Sequence, residues 1–421
     1  MRILYVVHQF YPEFGSGTER VTLNLARMAQ RAGHHVQVLG CMLDRSRHAG
    51  AAVPGLHGAV AGIVDGIPVT MLDRATLPPG ADTGLAVDRR LSEQLTAWMR
   101  GQRFDVMHLM HPMRMASAIA AGQRIGLPLV VTLTDYFAAC LRINLVDLDG
   151  RPCDGPDGGR ACARKCPLPA WTEPALRARH EQSAAVLAYA GSRVAPSQHV
   201  AQRYREAFPD LAFDVIAHGV DLLALGAAPQ LPAGPRPLTL GFVGSLVAAK
   251  GLHVLLRALA RLPSLPLRLK VAGGFHGDAV YQQELRALAA ADPRVELLGA
   301  LDAPAVAALM RGLDLLCLPS QVPESFSLVV HEASAVGVPA LVGHFGAPAQ
   351  AIAGSGAGQV VEAGDEAAWA AAIQACIDDP ERLARWRRAL PLPQRIEEEA
   401  FLYEGLYRQA MGAGPSVAAA A

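Results

Sequence analysis

Lysine is nearly missing from this sequence. Of 38 basic residues only Lys165, Lys250 and Lys270 are lysine; all the others are arginine. A chain that lets arginine stand wherever a generic cation will serve draws attention to each lysine it keeps. Net charge is missing as well, because 38 acidic residues cancel the 38 basic ones. That excludes nucleic-acid binding through a global basic field, which rests on many phosphate contacts. Uninterrupted apolar runs are short, none approaching the roughly eighteen residues of a membrane span, so no transmembrane helix is expected. The opening MRILYVVHQF meets His8 too early for the core of a secretion signal and reads as a buried first strand. The expected location is cytoplasmic, with peripheral contact at the inner face of the membrane left open. Cysteine is scarce: seven residues in 421 are too few for a disulfide scaffold. Charged residues make up 18% and hydrophobic ones 51%, which excludes a disordered chain and leaves ample material for more than one core.

What is present is an alternation of short apolar strands with amphipathic helices. Residues 2–7 read as a strand and 18–32 as a helix with Val21, Leu25, Met28 and Ala32 on one stripe, closed by Gly33. Strands at 35–39, 106–109, 127–133 and 193–195 follow, separated by helices at 85–99, 113–125 and 173–188; another helix starts at Ser197. Such alternation builds a parallel sheet covered on both faces. The run PQLPAGPRP then breaks the rhythm, since proline sits in neither a helix interior nor a central strand, and marks a linker at 226–237. After it the opening recurs: a strand at 238–243, a loop at 244–251 and a helix at 252–262, with strands at 267–271, 295–298, 314–318 and 339–342. The expected fold class is α/β, with two facing Rossmann-like doubly wound domains, 1–225 and 238–390. A ligand cleft is expected at the carboxyl ends of their strands. A last helix at 394–411 precedes a frayed tail.

Three loops carry candidate chemistry. In PEFGSGTE (12–19), Gly15 and Gly17 allow close backbone approach, and the helix start offers free N–H groups to an anion. Arg20 stands where the dinucleotide fingerprint needs a third glycine, and a plain tight turn would use the same glycines. In FVGSLVAAKG (242–251), a strand ends on Gly244, Ser245 follows in the loop, and Lys250 stands just before a helix. The loop is not a Walker A motif. Its lysine can serve as a point charge for a phosphate, or can simply be a solvated surface residue. In PSQVPESFSLVVHEASAVGVP (319–339), Glu324 closes a loop, Ser325 suits an N-cap and a helix is expected over 326–336. Glu324 and Glu332 can accept sugar hydroxyls, while the N–H groups of Ser325, Phe326, Ser327 and Leu328 suit phosphate. Glutamates near a helix start also occur for the helix dipole alone.

The spacing Glu324-x7-Glu332, preceded by DLLCLPS, resembles the donor-site signature of family-4 retaining glycosyltransferases of the GT-B fold. FVGSLVAAKG is similar to their diphosphate-binding loop, PEFGSGTER to their Gly-rich first loop, and IAHGVD (216–221) to their interdomain segment. The resemblance implies a nucleoside-diphosphate-sugar donor held mainly by the second domain. It implies a glycan or lipid-linked glycan acceptor held mainly by the first, and a last helix that crosses back to the first domain. Lys250 would neutralise the leaving diphosphate and Glu324 would contact the donor sugar, as the catalytic pair. Glu332 would hold the ribose, with Gly15, Gly17, Gly244, Ser245 and residues 325–328 around the donor. Thr134, Asp135 and His111 are acceptor-side candidates. No DxD motif is evident, so no catalytic metal is implied. Ser245 stands where the family usually has Arg, Ser16 and Ser327 where it has Gly, and Thr134 where TLTDYF would carry a sugar-contacting His. These departures leave open a non-catalytic, nucleotide-sugar-binding or scaffold homologue; a third reading is another GT-B enzyme, such as a sugar-nucleotide epimerase. The leading expectation is transfer in cell-surface polysaccharide or glycoconjugate synthesis.

The segment 135–169 interrupts the strand–helix rhythm and holds Cys140, Cys153, Cys162 and Cys166. It resembles a Cys-bearing insertion found in a subset of these enzymes. Four thiolates could make a closed structural zinc site; free thiols or a redox disulfide are the alternatives. Its expected role is to shape acceptor access.

Overall fold

The computed structural model describes residues 1–167, 171–226 and 236–413. Residues 168–169 of the Cys-bearing segment, most of the expected linker and the tail beyond 413 lie outside the described residues. The chain divides into two compact units. The first comprises Met1–Gly219 together with the helix Ile396–Ala413, and the second Val220–Arg395.

The first unit is built on β1 (Arg2–Val6), β2 (His35–Met42), β3 (Ala51–Ala52), β4 (Ala59–Val64), β5 (Ile67–Asp73), β6 (Val106–Leu109), β7 (Leu129–Thr132), β8 (Ser192–Ala195) and β9 (Asp214–Val215), in the sheet order β3-β4-β5-β2-β1-β6-β7-β8-β9. Pairing is parallel except at β3–β4 and β4–β5. The second unit carries β10 (Leu238–Val243), β11 (Leu267–Ala272), β12 (Val295–Gly299), β13 (Leu315–Leu318), β14 (Ala340–Gly343) and β15 (Gly358–Val361), all parallel, in the order β12-β11-β10-β13-β14-β15. Central strands such as β6, β7, β13 and β14 are buried along their whole length, as strands covered on both faces must be. The order reverses between β1 and β6 in the first sheet and between β10 and β13 in the second. At such a reversal the connections leave in opposite directions and open a crevice at the carboxyl ends of the strands.

Each unit holds a Rossmann-like, doubly wound α/β sheet, as expected. Several local features differ, among them the unexpected strand β15 and the helix expected over 85–99, which is Arg89–Gln102. The β4–β5 hairpin has no counterpart in the sequence reading; its turn is Asp65-Gly66, both residues at positive φ (49° and 79°), as a tight hairpin demands. The helix expected over 113–125 is Ala116–Arg124, because Arg114 turns left-handed at φ 65°. The helix expected over 326–336 is Leu328–Ala335, for the same reason at Ser327.

The last helix packs on the first sheet through Ile396, Tyr403, Tyr407 and Ala410, all at most 5% exposed and spaced along one face. Burying tyrosine hydroxyls requires partners. Tyr403 Oη lies 2.6 Å from Thr132 Oγ1, and His108 bridges Tyr407 Oη (2.8 Å) and Thr132 Oγ1 (2.7 Å). Glu399, 1% exposed, accepts the Gly219 N–H (2.8 Å) and His218 Nδ1–H (2.9 Å). His108 and His218 are thus satisfied core residues. Because removing one partner leaves buried donors unpaired, Glu399→Ala should cost about 3 kcal/mol of unfolding free energy, read by urea titration. An unchanged transition midpoint would contradict this role.

Candidate functional sites at the strand-order reversals

In the second unit the loops after β10 and β13 meet at the reversal. Gly251 makes this possible: its φ is 73°, and a β-carbon there would lie 1.9 Å from the Pro319 carbonyl oxygen. The β10 loop can therefore lie directly on the β13 loop, which brings Lys250 Nζ within 2.5 Å of Glu324 Oε1. Ser320 Oγ donates to the same oxygen at 2.6 Å. From the other side Gly346, at φ 78°, lets its backbone approach Glu324, where a β-carbon would meet the Glu324 nitrogen at 2.4 Å. The Ala347 N–H then donates to the Glu324 carbonyl at 2.9 Å.

Glu324 is 12% exposed, and burial pushes its carboxyl up. The Lys250 charge and the hydrogen bonds from Lys250 and Ser320 outweigh that push, so the carboxyl titrates below the ordinary glutamate value. Lys250 is 32% exposed and keeps an open side. Beyond Glu324, Phe326 is buried and stacks on His331 at 4.0 Å, and Ser327, at φ 67°, opens the helix Leu328–Ala335. The N-cap is therefore Ser327, and not Ser325 as the sequence suggested; its side chain makes no capping bond. Glu332 sits half-buried in the second turn. A cation, a half-buried carboxylate and a helix start suit a ligand that carries both phosphate and hydroxyl groups.

In the first unit His8, His111 and Asp135 follow the ends of the adjacent strands β1, β6 and β7. The His8 and His111 rings lie 4.0 Å apart, and His111 Nε2 is 2.7 Å from Asp135 Oδ2. Glu19, fully buried in the helix Gly17–Arg31, reaches back to the Ser16 N–H (2.9 Å) and lies 3.7 Å from His8. Burial pushes the Glu19 carboxyl up and the His8 imidazole well down, so His8 is neutral. Gly15 packs against Tyr11, where a β-carbon would come within 2.5 Å of the ring, whereas Gly17 faces open space.

Two family models match the chain. Glycosyltransferase Family 4 covers residues 15–222, and Glycosyl transferases group 1 covers residues 228–391. Each unit carries a glycosyltransferase-family domain. A D-inositol 3-phosphate glycosyltransferase of Rhodococcus erythropolis is 31% identical over 270 residues, 58% of this chain and 60% of the relative, so the match spans less than two thirds of that protein. Among solved structures, the sucrose-phosphate synthase of Thermosynechococcus elongatus superposes with a TM-score of 0.71 at 18% identity, covering 98% of this chain and 100% of that one. HepE of Anabaena, in complex with UDP and glucose, gives 0.66 at 18% identity over 96% of this chain and 98% of its own.

Within the group 1 glycosyltransferase domain the structure brings together Lys250 and Glu324, on loops that also hold Gly244, Ser245 and residues 325–328. Ser320, Gly251 and Gly346 complete the arrangement and were not singled out from the sequence. The available signal was their position immediately after a strand or before a helix. Gly15, Gly17, His111, Thr134 and Asp135 belong to the family-4 glycosyltransferase domain. Thr134 is buried, and its hydroxyl donates to the Met110 carbonyl at 3.2 Å, so that proton is spent within the fold.

The zinc expectation does not fit. Cys140, Cys153, Cys162 and Cys166 line one cavity, yet among the described residues no three His, Cys, Asp or Glu side chains are arranged to hold a metal ion. All four are free thiols, and burial pushes Cys140 and Cys166 up and Cys162 up to about 12, which favours the protonated form.

A lowered Glu324 pKa contributes stability that is fully present above the ordinary glutamate range and lost as pH falls through the lowered value. Lys250→Ala removes the main opposing charge and should lift that carboxyl. In urea titrations the variant should be the less stable chain at about pH 7, and the gap should close towards about pH 3 as the carboxyl protonates. A gap independent of pH would contradict the pairing.

Proposed function

We propose that this chain is a retaining glycosyltransferase. It moves a sugar from a nucleoside-diphosphate-sugar to a hydroxyl of a glycan or lipid-linked glycan, in cell-surface polysaccharide or glycoconjugate synthesis on the cytoplasmic side of a membrane. The reading rests above all on the Lys250–Glu324 pair at the β10/β13 reversal, 2.5 Å apart and set beside a helix start. Further support comes from the family models and from a structural neighbour, HepE, whose structure contains UDP and glucose.

In this reading the second unit holds the donor. Lys250 and the helix-start N–H groups face the diphosphate, Glu324 accepts hydroxyls of the transferred sugar, and Glu332 those of the ribose. The bond between the anomeric carbon and the diphosphate oxygen breaks, and negative charge grows on that oxygen. Preorganised donors stabilise the growing charge more than the ground state, and this is the main source of rate. The acceptor oxygen bonds to the anomeric carbon on the face the diphosphate leaves, and the acceptor proton passes to the released diphosphate. No catalytic metal enters the scheme.

A second reading, a nucleotide-sugar-binding homologue without turnover, draws on Thr134, whose hydroxyl proton is held by Met110 where the family has an imidazole. Incubating the chain with a panel of nucleotide-sugars and cell-extract acceptors, and analysing products by mass spectrometry, separates the two. Transfer is expected, and Lys250→Ala and Glu324→Ala should each reduce it by about a hundredfold or more. Donor binding without any product would favour the second reading, and near-normal variants would overturn the site.

A further inference from the structure

The first unit holds a cavity of about 190 Å³ that none of the candidate site residues lines. It opens along the seam where the helix Gly17–Arg31 packs against the last helix, Ile396–Ala413. Its lining includes His34, the residue before β2, so it lies towards the amino ends of the strands, whereas the candidate sites lie at the carboxyl ends. Ala29, Ala32 and Ala400 face it, where larger side chains would close the seam. The inner wall is made of three tyrosines whose hydroxyls are spent inside the fold: Tyr403 with Thr132, and Tyr407 with His108 and, at 3.3 Å, with Tyr5. The rings therefore present apolar aromatic surface to the cavity and no spare hydrogen-bond donor. At the rim the charge has one sign: among the described lining residues the charged side chains are the carboxylates of Glu397 and Glu404. Arg408 donates to Glu404 Oε1 at 2.5 Å and His34 Nε2 lies 3.2 Å from that same oxygen, which leaves Oε2 to a ligand. Phe401 also lines the cavity and is 74% exposed, a large ring left in water that an occupant would cover.

We propose that this cavity is a second ligand site, and that it takes a small aromatic molecule carrying a protonated amine. The ring fills the apolar interior against Tyr5, Tyr403 and Tyr407, and the ammonium group meets Glu404 and Glu397 at the rim. The room suffices, since a dry cavity of about 150 Å³ accepts a benzene ring. Aromatic faces and carboxylates both attract a cation. A phosphate or a carboxylate would meet like charge with no donor to compensate, and a sugar would leave most of its hydroxyls against apolar wall. Because the walls come from β1 and from two helices, a bound ligand holds the last helix on the sheet, and binding is linked to the stability of the whole unit. This site is independent of the transfer reading given above.

The test uses the full chain and three probes of one size: 2-phenylethylamine, 2-phenylethanol and 3-phenylpropanoate. Calorimetry gives the affinity and thermal unfolding gives the linked stability. The amine should bind one to one with a Kd of about 1 mM or tighter and raise the unfolding midpoint by about 2 °C or more at saturation. The alcohol should bind about tenfold more weakly and the carboxylate not at all. Replacing both rim charges, Glu397→Gln with Glu404→Gln, should abolish the preference for the amine and leave the alcohol within about twofold. Ala400→Phe, which fills the cavity, should remove binding of both. No binding of the amine up to about 10 mM would overturn the proposal, as would equal affinity for all three probes, or amine binding that survives both the charge replacement and Ala400→Phe. A chain that dimerises in sedimentation, becomes monomeric as Phe401→Ser and binds no amine would overturn it in favour of a second copy over the cavity. None of these measurements involves turnover, so their failure and the failure of the transfer reading are separately visible.

Discussion

Everything chemical in this molecule depends on where its parallel sheets reverse strand order. A parallel strand needs a crossover connection, and successive crossovers on one side of the starting strand cover one face of the sheet. When the order changes direction, the next connection leaves on the opposite face, and the two loops at that point diverge. In the second unit those loops follow β10 and β13, and they carry Lys250 and Glu324. In the first they follow β1 and β6, and they carry His8 and His111. The same topological rule thus locates both groups of polar side chains, although the two constellations share no sequence.

Both groups obey the same economy of buried charge. An isolated carboxylate out of water is costly and tends to protonate instead. Glu324 stays ionised because Lys250 and Ser320 meet one of its oxygens. Asp135 is met by His111 and the Phe137 amide, and Glu399 by His218 and the Gly219 amide. Glu19 is the contrast: burial dominates and its carboxyl is raised, despite the Ser16 N–H. The Cys-lined cavity is a contrast of another kind: burial raises Cys140, Cys162 and Cys166 despite the nearby Arg142 and Arg179 charges, and among the described residues no metal geometry is formed there.

Much of this was legible before any coordinates. Short apolar runs separated by helices specify a doubly wound sheet, and the scarcity of lysine pointed to Lys250. What the sequence could not supply was adjacency. Lys250 and Glu324 are 74 positions apart, and only the β10–β13 pairing places one loop on the other. His111 and Asp135 are joined in the same way by β6 next to β7. The β4–β5 hairpin escaped notice even though Asp65-Gly66 is a hairpin signal, because its strands lie in a Gly- and Ala-rich stretch with weak alternation. The start of the helix at Leu328 was misplaced because a left-handed serine at 327 breaks the rule that such positions go to glycine. Cysteine spacing fixed a shared cavity and stopped short of a metal site.

The central claim is that the β10/β13 edge is built for a diphosphate, with Lys250 as its counter-charge. Titration calorimetry with UDP, GDP and ADP identifies the nucleotide that binds, and repeating it with the matching nucleoside isolates the phosphate contribution. Lys250→Ala should weaken the diphosphate at least tenfold and leave the nucleoside within about twofold, since a point charge of this kind acts only on the phosphate. Equal loss for both ligands, or none for either, would contradict the assignment.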